Sequence, residues 1–459
     1  MIRRSFLTQC AGISAGFLGL QRVLAKQPGP FARLGPLTPS PDVPLDLPRG
    51  FRASLVTLSG SEMDDGLIRP GKPDGMAAFA GDKPGEVVLV CNHELATTQH
   101  AHSPFGPKNE RLAKYGPERL AKLLPDGNPY LGGTTTMSYD VKARRMTSQY
   151  LSFGGAERLC AGGPTPWGSW ITCEEPELLD GPAAYYQDVG WCYEVPASSK
   201  MIDPPNLEPI RGMGRFRHEA VAIDPRTGIV YLTEDRGDGL FYRFRPTRPG
   251  KLHEGGVLEA LALVDRKQAD TRNWDPSQAP TIPVRKEMAV RWVPLEDIEA
   301  PRDDLRHRGF SEQGAAVFAR GEGIWFGEGE LFFACTNGGA KQRGQIFRYR
   351  PSADEGTAAE AKRPGRLDLF IEPNDSNLLE AADNLTVAPW GDLVVCEDGP
   401  GDQFLRGVTP EGELYTIARN NVDNGELAGA CFAPNAPVLF VNLQQTGHTL
   451  AIEGPWPDA

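Results

Sequence analysis

Apolar residues in this chain come in short runs, each bounded by Gly, Pro or an acidic residue. Gly85-Glu-Val-Val-Leu-Val-Cys91-Asn92-His93-Glu94 is one such run, and Gly228-Ile-Val-Tyr-Leu-Thr-Glu234-Asp235 is another. Gly329-Glu-Leu-Phe-Phe-Ala-Cys335-Thr-Asn337, Gly391-Asp-Leu-Val-Val-Cys396-Glu397-Asp398 and Ala436-Pro-Val-Leu-Phe-Val-Asn442 repeat the pattern. Cys160-Ala-Gly-Gly-Pro-Thr-Pro-Trp-Gly-Ser-Trp-Ile-Thr-Cys173-Glu174-Glu175 adds an aromatic, β-branched version that ends in a thiol and two carboxylates. Runs of this length and composition predict strands.

Most runs follow a shorter one that opens with a carboxylate, such as Asp74-Gly-Met-Ala-Ala-Phe, Glu219-Ala-Val-Ala-Ile, Glu322-Gly-Ile-Trp-Phe or Asp383-Asn-Leu-Thr-Val. Most precede a third, such as Leu240-Phe-Tyr-Arg-Phe or Gln345-Ile-Phe-Arg-Tyr. The unit is an antiparallel meander that cannot bury both faces alone and must stack on copies of itself. Six copies predict an all-β fold, a six-bladed β-propeller with loop insertions. The competing arrangement is a sandwich of unrelated hairpins. It leaves unexplained why polar residues recur at one phase of the unit. Residues 26–459 form a single domain in this reading. The first strand lies over 51–58, and 38–58 can lend an outer strand to the last blade. A short helix is expected over 117–124. The insertion 251–309 carries one strand at 289–293 and is expected over a face or on the rim.

Composition narrows the function. The 459 residues include 52 Gly and 41 Pro, as a fold of many turns requires. The formal charge of -12 argues against nucleic acid as a partner and fits acidic clusters that bind cations. Arg3-Arg4-Ser5-Phe6-Leu7, a small-residue apolar run and Val23-Leu24-Ala25 predict a twin-arginine signal peptide over 1–25. Its apolar run is too short to span a bilayer, so no stable membrane insertion is expected. Export through the twin-arginine machinery to the periplasm or beyond follows.

In a propeller, equivalent strand ends meet at the axis. One phase brings Asp74, Glu219, Glu322, Asp383 and Glu426 together. The neighbouring strand ends add Glu94, Cys173, Glu174, Glu234, Asn337, Glu397 and Asn442. So many carboxylates in one channel repel unless protonated or bound to cations. Oxygen donors suit calcium or magnesium, and a thiolate at Cys173 suits a softer metal. Some of these residues are expected only to cap strand ends. Arg320 lies two residues before Glu322, so on an extended segment the two share a face. Its planar fork suits a phosphate group, and a salt bridge to a neighbouring carboxylate is the plainer role.

The 160–175 segment, Cys91-Asn-His-Glu94, Arg217-His-Glu-Ala220, Arg320-Gly-Glu-Gly323 and Pro389-Trp-Gly-Asp-Leu-Val-Val-Cys-Glu-Asp398 resemble the PhoX family of exported bacterial alkaline phosphatases. The resemblance implies a mixed iron (Fe3+) and calcium cluster that hydrolyses small-molecule phosphomonoesters. It implies iron on Cys173, Glu219 and Glu322, and calcium near Glu94, Glu174, Asp383 and Glu397. It implies Arg320 as the phosphate-gripping catalytic arginine; Asn337 is assigned beside it. The insertion 251–309 departs from the pattern. A monomer is expected. The rival readings are a calcium-dependent lactonase or arylesterase, which needs no thiolate, and a non-catalytic, metal-stabilised binding propeller.

Overall fold

The computed structural model describes residues 33–176, 189–203, 207–300 and 304–457. The expected signal peptide lies outside them. Three strands open the described chain: β1 (Leu37–Thr38), β2 (Leu45–Pro48) and β3 (Arg52–Leu58). Four meanders follow. They are β4 (Pro73–Ala80), β5 (Glu86–His93), β6 (Gly132–Asp140) and β7 (Arg145–Ala156); β8 (Leu159–Pro164), β9 (Ser169–Glu174) and β10 (Cys192–Pro196); β11 (His218–Ile223), β12 (Val230–Glu234), β13 (Phe241–Pro246), β14 (Gly256–Leu263) and β15 (Met288–Pro294); and β16 (Gly321–Phe326), β17 (Leu331–Cys335), β18 (Gln345–Arg350) and β19 (Arg366–Ile371). Two more complete the chain: β20 (Ala382–Val387), β21 (Leu393–Glu397), β22 (Phe404–Val408) and β23 (Leu414–Asn420), then β24 (Leu427–Phe432), β25 (Val438–Leu443) and β26 (His448–Glu453).

The fold is an all-β propeller. The expectation of six separate blades is corrected: hydrogen bonding groups these strands into five sheets. The cause is the insertion 251–309. Its strands β14 and β15 extend the third meander, and β15 pairs with β19, fusing two meanders into one nine-stranded sheet. The sequence signalled β15 but not β14. The opening strands β4, β8, β11, β16, β20 and β24 pack on one another in a closed ring. Closure is non-local, as expected: β3 pairs antiparallel with β26, so the chain's start completes its last sheet. The ring thus closes by packing of the opening strands, while each sheet keeps its own two edge strands.

Apolar side chains fill the space between neighbouring sheets. Val221, Leu232, Tyr242 and Phe244 share one such cluster with Ile171, and Phe241, Phe333 and Phe347 stack in another. The helix expected over 117–124 is shorter: a one-turn α-helix, Leu112–Tyr115, is followed by a 3-10 turn, Pro117–Arg119. No helix among the described residues is long and apolar enough to cross a membrane.

Candidate active site

The site is built by a defect repeated six times. In each opening strand the pairing register slips at one place: between Pro73 and Met76, Leu159 and Gly162, His218 and Val221, Gly321 and Ile324, Ala382 and Leu385, and Ala428 and Cys431. A bulge of this kind re-aims the side chain it carries. Its first residue is Asp74, Cys160, Glu219, Glu322, Asp383 or Gly429. Its second residue is Gly or Ala in every case but Asn384, because the ring is tight there. A Cβ on Gly75 would come within 2.6 Å of Ala161 Cα, and one on Gly323 within 2.7 Å of Asn384 Cα.

These first residues converge with the residues that follow the second strands. Four overlapping groups each gather three ligand atoms within 4.8 Å of one another: Cys160, Glu175 and Glu219; Glu219, Glu322 and Asp383; Asp383, Asp398 and Glu426; and Asp74, Glu94 and Glu426. Among the sequence-predicted ligands, the structure brings Glu94, Glu219, Glu322 and Asp383 into this ring.

Cys173, Glu174 and Glu397 are not part of it, and these assignments are corrected. Glu174 and Glu397 occupy the strand position one before the axial one, and alternate residues of a strand face opposite ways; Cys173 lies two before it, inside β9. Cys173 Sγ lies 3.6 Å from Cys192 Sγ in the apolar cluster with Ile171 and Phe216. Glu174 accepts from Lys122 Nζ at 2.6 Å and from the backbone N–H groups of Glu157, Gly190 and Trp191. Glu397 accepts from Arg406 Nε at 2.9 Å and from the Glu380 N–H. Their axial neighbours are Glu175 and Asp398, and the thiol of the ring is Cys160. Glu234 and Asn442 also face away: Glu234 accepts from Tyr242 Oη at 2.7 Å, and Asn442 donates to the Asp74 carbonyl at 2.6 Å. Asn337 lies outside the four groups, with its Oδ1 buried and without a hydrogen-bond partner among the described residues.

Burial and mutual repulsion dominate the electrostatics. Burial, then the charges of Glu94 and Asp383, raise Asp74 well above the usual carboxylate range. Glu219, Glu322 and Glu426 are raised likewise, first by burial and then by neighbouring carboxylates, Asp235 foremost for Glu322. Burial pushes Glu175 up to about 8, against the pull of Arg217. Burial and Asp398 push Asp383 up to about 7. Burial, then Glu219 and Glu175, hold the Cys160 thiol well above its ordinary value. A folded chain keeps such a crowd only if something neutralises it. The donor set fits metal ions. Three groups are all oxygen, as hard cations require, and one combines a sulfur with two carboxylates, as a transition metal accepts.

Arginines crown the ring. Arg158, Arg217 and Arg320 each lie two residues before Cys160, Glu219 and Glu322. Arg158 reaches Glu94 and Glu175, and Arg217 reaches Glu175 and, at 3.1 Å, Asp235. Arg320 forks onto Asp235, Nε to Oδ1 at 2.6 Å and Nη2 to Oδ2 at 2.8 Å, and also donates to Glu322 at 3.1 Å. Its backbone is left-handed, with φ +54°, and its side chain is 40% exposed, so the guanidinium borders solvent at the channel mouth. Burial alone would push Asp235 up; the hydrogen bonds and charge of Arg320, with Arg217, hold it below its ordinary value.

Residues 32–447 match the family model described as alkaline phosphatase PhoX. Among solved structures, the chain is similar to Pseudomonas fluorescens PhoX in complex with vanadate, a transition state analogue. The TM-score is 0.62 at 18% identity, over 89% of this chain and 96% of that one. It is more distantly similar to XC5397 from Xanthomonas campestris, a gluconolactonase, with a TM-score of 0.39 at 11% identity over 92% and 98% of the two chains. No curated protein matches the chain. The chain belongs to the PhoX family of alkaline phosphatases, enzymes that hydrolyse phosphate monoesters.

Proposed function

We propose that the axial ring, loaded with metal ions, is where small-molecule phosphomonoesters are hydrolysed. The observation that carries this is the layering of the site: overlapping ligand groups below, planar cations at the mouth above. Cys160, Glu175 and Glu219 would hold iron (Fe3+). The all-oxygen groups around Asp383, Glu426 and Asp74 would hold calcium. When bound, the ions supply electrophilic charge that offsets the phosphate oxygens.

The chain's own groups do the rest. Arg320 turns its fork from Asp235 to the phosphoryl oxygens and stabilises charge as the group transfers. Asp235 keeps the guanidinium oriented between turnovers. Arg158 and Arg217 add positive potential from the neighbouring positions. Asn337 makes no hydrogen bond to these arginines among the described residues, and Arg217 is the better candidate for a second phosphate contact. Export by the predicted signal peptide would set this chemistry outside the cytoplasm. The test is release of p-nitrophenol from its phosphate ester at alkaline pH with calcium. Turnover that is lost on chelation and restored by metal supports the reading; turnover indifferent to complete metal removal sinks it.

A further inference from the structure

The position two residues before the axial ligand holds a fourth cation, Lys72, ahead of Asp74. Unlike the three arginines, Lys72 meets no carboxylate directly among the described residues. Its Nζ donates to the neutral amides of Gln444, at 3.1 Å, and Gln445. Its field reaches Asp398 without an ion pair. Its backbone is left-handed, with φ +48°. Arg158 and Arg320, at the equivalent position, share it, so the repeat itself sets this conformation.

Beside Lys72 is a cavity of about 200 Å³ whose wall includes Arg69, Lys72 and His102, and no Asp or Glu. That is unexpected in a chain of charge -12. Arg69 is fully buried, yet its hydrogen bonds go to neutral groups: the Gly447 carbonyl at 2.9 Å and Thr449 Oγ1 at 2.6 Å, with Ser59 Oγ at 3.5 Å. Its Nε is buried without a hydrogen-bond partner among the described residues, and the Cys91 thiol lies beside the guanidinium. A buried guanidinium usually faces a carboxylate, because an uncompensated charge in a poorly polarisable interior is costly. Among the described residues no carboxylate pairs with Arg69; the Cys91 thiol is pushed by burial up to about 11 and so uncharged, and the adjoining cavity has room for an anion. At about 30 Å³ per water, it takes a phosphate-sized group with a few waters.

We propose that this cavity is a second anion subsite for a phosphate-class oxyanion. The inference rests on the phosphatase reading of the channel. One side chain separates the two sites: Gln444 accepts from Lys72 and donates to Asp74 at 3.0 Å and Glu94 at 2.9 Å. A bisphosphorylated ester can thus present one phosphate to the channel and the other to Lys72. Free inorganic phosphate offers the same chemistry.

The test uses metal-loaded wild type and Lys72→Gln, with His102→Ala as a second variant on the cavity wall. The kcat/KM of a hexose bisphosphate is compared with that of the matching monophosphate, and inorganic phosphate is titrated calorimetrically. Loss of one charge-assisted contact should lower the bisphosphate preference roughly tenfold in Lys72→Gln, with monophosphate turnover within about threefold of wild type. His102→Ala should lower it in the same direction. A phosphate stoichiometry that drops from two to one adds free phosphate as an occupant. A lowered preference with unchanged stoichiometry assigns the subsite to the substrate's own second phosphate. Unchanged preference and unchanged stoichiometry in both variants overturn the proposal. A wild type that hydrolyses neither ester refutes the phosphatase reading instead, and calorimetry then decides the subsite alone: a second phosphate site lost in Lys72→Gln supports it, and its absence overturns it.

Discussion

Arg320 and Asp235 form a two-point ion pair at the channel mouth, 2.6 and 2.8 Å, although they lie on different meanders. The pair fixes the plane of the guanidinium without being part of any ligand group. It also explains how an arginine can stand beside Glu322 and remain available to an anion.

Arg320→Lys keeps the charge and loses the fork. Phosphatase kcat/KM should fall by roughly one to three orders of magnitude, about 1.4 kcal/mol for each tenfold. Competitive inhibition by inorganic phosphate should weaken in parallel, with metal content unchanged. Full phosphate inhibition with a depressed melting temperature would mark Arg320 as a structural partner of Asp235 only.

The two cysteines of the 160–175 segment should behave oppositely. Cys160→Ser should remove the transition metal, its charge-transfer colour and most activity. Cys173→Ser, in the apolar cluster beside Cys192, should keep colour and activity and lose only modest stability. Absorption spectra and metal analysis of both variants check this, and bleaching by Cys173→Ser alone would reverse the assignment.

The adjacent carboxylates Glu174 and Glu175 make a second contrast. Glu174→Ala takes the buried acceptor from Lys122 and three backbone N–H groups, and should cost about 3 kcal/mol in a denaturant melt. The folded fraction should still bind metal. Glu175→Gln should lower metal content while the metal-free protein stays folded. Equal metal loss in the two variants would count against the facing of this strand.

Removing metal should change how stability depends on pH. Burial pushes Glu175 from 4.5 up to about 8 and Asp383 from 3.8 up to about 7 in the metal-free chain. The folded state then holds protons that the unfolded chain has released. That contribution is whole below about pH 4 and is lost as pH rises through 7 and 8, at up to about 1.4 kcal/mol per group per pH unit. The melting temperature of chelated protein should therefore fall from pH 5 to 8. Saturating calcium should flatten or reverse the slope, since it binds the deprotonated form. A chelated protein that grows more stable over that range would contradict the crowded ring.

Much of this was legible in the sequence. The spacing of carboxylate-led runs gave the propeller and the phase of Asp74, Glu219, Glu322 and Asp383. The strand-end ligands were harder to place. In a period of two, a one-residue slip moves a side chain from the channel to the sheet interface. Glu174 and Glu397 fell on the wrong side of it, and Glu175 and Asp398 on the right one. Cys160 was missed because the second meander's opening strand is weakly apolar. Aligning Leu159-Cys160-Ala with His218-Glu219-Ala would have exposed it. The blade count went astray at the charged insertion, where β15 is signalled but β14 and the pairing of β15 with β19 are not. The pairing of Arg320 with Asp235 joins distant meanders and needed the fold.

Glu219 joins the two kinds of ligand group, because it belongs to both the thiol group and an all-oxygen group. The most direct measurement is metal content together with p-nitrophenyl phosphate turnover in wild type and Glu219→Gln. The substitution should lower both transition-metal and calcium occupancy and cut turnover by at least about a hundredfold, roughly 2.7 kcal/mol. A Glu219→Gln protein with full metal content and wild-type turnover would contradict the metal-loaded ring.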